Sequence, residues 1–353
     1  MSKFWSSAVK RSDPYIPGEQ LNDPKIIKLN TNENPYPPSP LVLDAIKKEA
    51  DQSLRLYPSP TVDELRNEIA DYYGLGKDSV FIGNGSDEVL AFSFMAFFES
   101  GRKIRYPEVS YSFYPVYAKL FNIPVEEVPL QADFSIQASD FHSSEGGVIF
   151  PNPNAPTSLY LQLEAIEDIL QHNRDRVVIV DEAYIDFAEE SAVKLLHKYD
   201  NLLVIQTMSK SRSLAGLRLG FALGSPELIE GLIRIKDSFN SYTIDRLAIA
   251  GGIAAMKDKV YFEATREKIK RTRIWATQEL RKRGFNVLPS QANFLFATHP
   301  DKEASSLYEQ LKENKILVRY FNKPLINEYL RITIGTEVEM DTFFQVLDKL
   351  LKK

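Results

Sequence analysis

The chain has 353 residues, with 43 Lys and Arg against 48 Asp and Glu (formal charge −5) and 44% hydrophobic residues, ordinary globular stock with length for roughly two domains. It contains no cysteine, which excludes disulfides, thiolate nucleophiles, zinc fingers and iron–sulfur clusters together, and His142, His172, His197 and His299 form no HxxxH or HExxH pairing, which argues against a histidine-rich metal site. The mild acidity without a basic block speaks against nucleic acid as a partner; with no apolar run of transmembrane length and no apolar h-region in MSKFWSSAVKR, a cytoplasmic protein without a membrane partner is expected.

In chain order, residues 1–40 form an arm punctuated by Pro14, Pro17, Pro24, Pro35, Pro37, Pro38 and Pro40. Tyr15, Ile16, Ile26, Ile27 and Leu29 give it something to bury, so it reads as ordered and packed on the body or on another subunit. Thr61 to Glu64 reads as a capping box, and Val62, Leu65, Ile69 and Tyr72 keep helical spacing until Gly74. Short apolar runs follow at 80–82, 148–150, 177–180 and 202–205, with helical stretches such as 163–170 between them. Strands apolar on both faces belong to a mostly parallel sheet flanked by helices. From about Leu228 a helical region runs through Leu280, followed by strand 292–297, helix 303–313, strands 316–318 and 330–334, and helix 338–351. The expected fold class is therefore α/β: the arm, a large domain over 41–240, and a smaller α+β C-terminal domain over 241–353.

Chemistry gathers where the apolar runs end. Gly83-Asn84-Gly85-Ser86-Asp87-Glu88 opens a helix after the first; Pro151-Asn152-Pro153-Asn154-Ala155-Pro156-Thr157-Ser158 follows the second. Asp181-Glu182-Ala183-Tyr184 follows the third and Thr207-Met208-Ser209-Lys210 the fourth. Ligands of open α/β sheets bind beyond the carboxyl ends of the strands, so a glycine turn, an amide, a carboxylate with a tyrosine, and a lysine suggest one site. Taken singly, each has a plainer reading: Gly85-Ser86-Asp87 also makes an ordinary helix start, and Asp181 or Lys210 could cap a backbone or face solvent. Their shared sheet end favours chemistry. A lysine amine forms a Schiff base with a carbonyl cofactor, and pyridoxal phosphate (PLP) needs such a lysine, an acidic partner for its pyridinium nitrogen, and a phosphate cradle. Asp181 suits the second role, and the N–H groups at Gly85-Ser86-Asp87 suit the third, with Ser209 and Arg218 adding a hydroxyl and a guanidinium.

DEAY at 181–184, SKSRSLAGLRLG at 209–220 and GNGSDE at 83–88 resemble the fold-type I PLP aminotransferases. Within them, NTNENP at 30–35, LYPSP at 56–60, SQANFLF at 290–296 and LRITIGT at 330–336 resemble the histidinol-phosphate aminotransferase family, over about Tyr15 to Thr336. The resemblance implies that Lys210 holds PLP and shuttles the proton, that Asp181 pairs with the ring nitrogen, that Tyr184 hydrogen-bonds the phenolic oxygen and that Tyr111 stacks on the ring. It implies that Gly85, Ser86, Asp87, Ser209 and Arg218 surround the cofactor phosphate. Tyr57 then reaches the phosphate of a neighbouring subunit, which implies a homodimer with composite sites, while Arg331, Arg319 and Tyr15 form an anion pocket for the substrate. Without the resemblance, the two arginines would pass for strand-edge surface residues and the tyrosines, among 17, for packing. Two departures stand out: Ala155 occupies the place of an amide usual in this family, so the role passes to Asn154, and Ser158 replaces a glycine. Arg212, close to the lysine, is read as facing solvent, with a further contact to the cofactor phosphate as the alternative. The implied activity is transamination of histidinol phosphate with 2-oxoglutarate. Rivals on the same residues are threonine-phosphate decarboxylase and an aromatic amino acid aminotransferase; a rival of another class is a non-catalytic PLP-binding regulator. No GxGxxG or GxxxxGK[ST] supports a nucleotide enzyme.

Overall fold

Runs such as Val148–Pro151 and Val178–Asp181 have no polar face, and the structure, a computed structural model describing residues 2–16, 18–19, 23 and 25–352, buries them on both sides. Seven strands form the main sheet: β1 (Val80–Asn84), β2 (Ile104–Pro107), β3 (Val125–Val128), β4 (Val148–Pro151), β5 (Val178–Asp181), β6 (Leu202–Thr207) and β7 (Leu219–Gly224), in the order β1-β7-β6-β5-β4-β2-β3. Strands β2 to β6 pair in parallel, and β7 runs antiparallel to both its neighbours. Alternate residues feed two cores. Val148, Phe150, Val178, Val180 and Val204 face one, and Ile149, Ile179, Leu203 and Ile205 face the other. Strands β2, β3 and β7 were not legible in the apolar runs, because each is short or interrupted by Arg105, Glu126, Glu127 or glycine.

One local expectation needs correcting. The helix Asp63–Tyr73 does end at Gly74, but Val62 takes its N-cap position in a left-handed conformation with no side-chain cap. The Val62 N–H is held by Ser59 and the Thr61 hydroxyl turns to Asp63, so the Thr61–Glu64 capping box does not form. The region 228–280 is three helices, Pro226–Phe239, Arg246–Lys257 and Lys259–Lys282. Asp245 starts the second by accepting from Ala248 N–H, and Asp258 starts the third by accepting from Tyr261 N–H. The middle helix packs on Pro40–Glu49 and adds Ala248, Ala255 and Met256 to the core beneath the main sheet.

A four-stranded antiparallel sheet contains Phe294–Thr298 and Leu330–Thr333, and these strands share a separate core with the helices Lys259–Lys282 and Glu337–Leu351. The arm joins this second body. Ile27–Lys28 pairs in parallel with Ile316–Leu317, and Leu29 is 1% exposed in its core. Further upstream, Arg11 of the helix Ser7–Arg11 donates to the carbonyls of Lys119 and Leu120, which end the helix Tyr114–Phe121. Pro17 and Pro24 lie outside the described residues. Among the described residues no helix is long and apolar enough to cross a membrane.

Candidate active site

The carboxyl ends of β4, β5 and β6 open into a cavity of about 560 Å³. Its wall brings together Tyr15, Ser86, Asp87, Tyr111, Asp181, Tyr184, Ser209, Lys210, Arg218, Arg319 and Arg331, residues drawn from the arm, the main sheet and the antiparallel sheet.

Asp181 ends β5 at 3% exposure. It accepts from the Tyr114 hydroxyl at 2.9 Å and the Ala183 N–H at 3.3 Å, and among the described residues no ion pair reaches it. Burial pushes its carboxyl up to about 7, against the pull of those two donors. A desolvated carboxylate without a cation is costly, and a cationic ring nitrogen entering the cavity would relieve that cost. Lys210 follows β6; its Nζ donates to the Thr31 carbonyl at 3.1 Å and lies 5.9 Å from the centre of the Tyr184 ring. The Tyr184 hydroxyl in turn accepts from Asn32 Nδ2 at 3.0 Å.

A cradle forms where β1 runs into the helix Gly85–Phe97. Among the described residues that helix has no side-chain cap. The Gly85 N–H is taken by the Arg218 carbonyl at 2.7 Å, contrary to the sequence expectation for Gly85, which leaves the N–H groups of Ser86 and Asp87 to an anion. Gly85 has φ +76°, and a Cβ there would lie 2.4 Å from the Arg218 guanidinium. Gly220 backs directly onto the same turn, where a Cβ would lie 2.3 Å from Ser86 N. Ser209, braced by Thr207, closes the side. A phosphate fits this donor set.

The far wall is cationic. Arg331 donates to the Asn30 carbonyl at 2.8 Å, its Nε is buried with no hydrogen-bond partner among the described residues, and burial pulls its guanidinium below the ordinary range. It lies between the rings of Phe294 and Phe321, and Arg319 lies over Phe321 as well. Tyr15 stacks on Phe113 at 4.4 Å.

Asn154 is placed differently from the sequence expectation. Its amide donates to the Val109 carbonyl, 45 positions upstream, and to the Thr157 hydroxyl of its own loop, and Ala155 and Pro156 line the cavity. Tyr57 is 77% exposed and stacks on Tyr242, away from this cavity. Arg212 is buried instead of solvated: it donates to the Ala255 carbonyl and lies 4.1 Å from the Phe262 ring centre. Thr31, Asn32 and Tyr114 were given no role from sequence; NTNENP carried the only signal for the first two. Elsewhere, Asp168 sits 2.7 Å from His142 and 3.2 Å from His172. The two imidazoles stack 3.7 Å apart at 10°. Their in-plane lone pairs run side by side, which suits sharing a carboxylate better than converging on a tetrahedral ion.

Comparison with known proteins agrees with this geometry. The model for aminotransferase classes I and II matches residues 24–347. Histidinol-phosphate aminotransferase 1 of Oceanobacillus iheyensis is 62% identical over 352 residues, covering 100% of this chain and 99% of its own. A histidinol-phosphate aminotransferase of Clostridium acetobutylicum is 57% identical, covering 99% of each. The crystal structure of the Sinorhizobium meliloti histidinol-phosphate aminotransferase in complex with pyridoxal-5'-phosphate superposes with a TM-score of 0.89 at 23% identity, over 100% of this chain and 98% of that one, a likeness of fold.

Proposed function

The chain belongs to the class I and II aminotransferases, in the histidinol-phosphate aminotransferase family, and from that premise we propose that it moves the amino group of histidinol phosphate to 2-oxoglutarate. The products are imidazole-acetol phosphate and L-glutamate, a cytoplasmic step of histidine biosynthesis. The observation that carries the reading is the pairing, in one cavity, of a buried carboxylate lacking a cation with a lysine at the neighbouring strand end.

Pyridoxal phosphate supplies, when bound, an electron-accepting ring conjugated to the substrate's α-carbon. Ser86, Ser209 and Arg218 hold its phosphate, and Gly85 shapes the turn that seats Arg218 beside it. Asp181 keeps a proton at the ring nitrogen, Tyr184 offers its hydroxyl to the phenolic oxygen, and Tyr111 covers a ring face. Lys210 Nζ would take the proton from the substrate's α-carbon and return it two atoms away, at the cofactor's carbonyl-derived carbon, the work of a positioned general base and acid. Arg331, Arg319 and Tyr15 bind the substrate's phosphate or the α-carboxylate of the second substrate, for which a planar guanidinium fork is suited. We further propose a homodimer, with exposed Tyr57 reaching the partner's cradle.

The test is the visible spectrum of the purified protein loaded with PLP, before and after excess histidinol phosphate with no oxo acid present. Loss of the cofactor's visible band and appearance of the aminated cofactor are expected. An unchanged spectrum would overturn the substrate, and absence of any bound band would overturn the cofactor. Carbon dioxide release from threonine phosphate would point instead to the decarboxylase.

A further inference from the structure

Asp87 is an odd neighbour for a phosphate. Its side chain stands in the third position of the helix Gly85–Phe97, and a carboxylate there repels an incoming dianion. Its ion pair with Arg218, 3.0 Å long with the two side chains 37% and 43% exposed, adds little to stability at that exposure. What the carboxylate does hold is specific. One oxygen accepts from the Tyr111 hydroxyl at 2.8 Å and the other from Arg218 at 3.0 Å, while the Asp87 backbone carbonyl accepts from the Tyr117 hydroxyl at 2.8 Å. Tyr111 is thereby fixed by its hydroxyl tip, with its ring nearly perpendicular to that of Tyr114 and the two ring centres 5.8 Å apart. Arg218 is fixed against Gly85, where its left-handed backbone turn (φ 53°) has already aimed it.

We infer that the Asp87 side chain is a positioning residue: it sets the plane of Tyr111 and the reach of Arg218 together, coupling the ring-stacking surface to the phosphate cradle, and is not itself a phosphate ligand. This rests on the cofactor reading above. The state of its partner agrees with it, since burial and the facing carboxylate hold the Tyr111 hydroxyl well above the ordinary phenol range, permanently a donor. Asparagine at this place keeps the shape and offers one good acceptor where two are needed.

The sign of the effect is the test, read on the apoprotein titrated with PLP. If only charge mattered, Asp87→Asn would tighten binding. Positioning predicts weakening, on the order of tenfold for the loss of one charge-assisted hydrogen bond. Tyr111→Phe should also weaken binding, and the double variant should lose less than the product of the two, as residues sharing a contact do. The visible circular dichroism of the bound cofactor should fall in both single variants, because the ring is held less firmly. Tighter binding by Asp87→Asn, or losses that multiply without coupling, would overturn the inference. If Asp87→Asn melts far below the wild-type apoprotein, Tyr111→Phe decides alone, and unchanged affinity and dichroism there overturn it. A wild-type chain that takes no PLP overturns the cofactor reading and this inference with it; wild-type binding left unaltered by Asp87→Asn overturns this inference only.

Discussion

Asp181 shows how a single buried carboxyl can cost a chain stability. In the chain without cofactor its carboxyl titrates at about 7, far above the 3.8 of a free aspartate, because burial disfavours its charge. A carboxyl raised on folding contributes stability that is fully present below the unfolded value and is lost as pH rises through the folded one. Asp181→Asn keeps an acceptor for Tyr114 and removes the titration. The cofactor-free variant should therefore melt higher than wild type at pH 8, by a stability difference on the order of a few kcal/mol, since each tenfold change in a proton equilibrium is worth about 1.4 kcal/mol. The gap should close towards pH 4. Melting curves across pH on stripped protein check this, and a gap independent of pH would refute it. Asp181 and Lys210 were legible in the sequence because strand ends in this architecture are the places where ligands bind. Asn32 was not, because its role depends on Thr333, 301 positions away, which both donates to and accepts from it.

At the scale of elements, sequence signatures of the same kind met different ends. Thr336 and Glu339 form a full capping box at the start of Glu337–Leu351, whereas Thr61 and Glu64 carry the same spacing and form none. The difference lies upstream: Ser59 claims the Val62 N–H and bends the chain before the box can close. Strand β7 was missed because its glycines look like turn residues, yet Gly220 is where the strand presses on the Gly85–Ser86 turn. Gly220→Ala would drive a methyl group to 2.3 Å from Ser86 N, a clash that only backbone movement relieves. Weaker PLP affinity by roughly tenfold or more, with secondary structure kept, is expected, since a cradle built from N–H groups tolerates little displacement. Calorimetric titration with PLP, beside far-ultraviolet dichroism, measures both; unaltered affinity would mean that the turn is not the cradle.

For the whole molecule, the α/β class and the order of most elements followed from apolar runs whose burial on both faces could be read directly. The division of cores did not follow, since a helix such as Arg246–Lys257 is assigned to a body only by what it packs on. In the sequence the homodimer rests on resemblance alone, and it stands as a proposal. Leu54, Leu56, Tyr57 and Tyr242 are exposed, and large apolar side chains exposed together mark contact surfaces. The proposed homodimer predicts that Tyr57→Asp lowers both dimer fraction and PLP affinity, read by light scattering and spectral titration. A monomeric wild type with full PLP affinity would refute it.

The parallel pairing of Ile27–Lys28 with Ile316–Leu317, and the cavity wall shared by Asn30, Lys210 and Arg331, carry a consequence for how the protein comes into being. On the ribosome, Ile27–Lys28 emerges long before Ile316–Leu317, the strand it pairs with. The lysine and its cradle precede the arginine that completes the pocket by more than one hundred positions. The cavity wall is therefore complete only once Leu330–Thr333 has been made, and a chain cut short before that strand lacks the Arg331 side of the cavity.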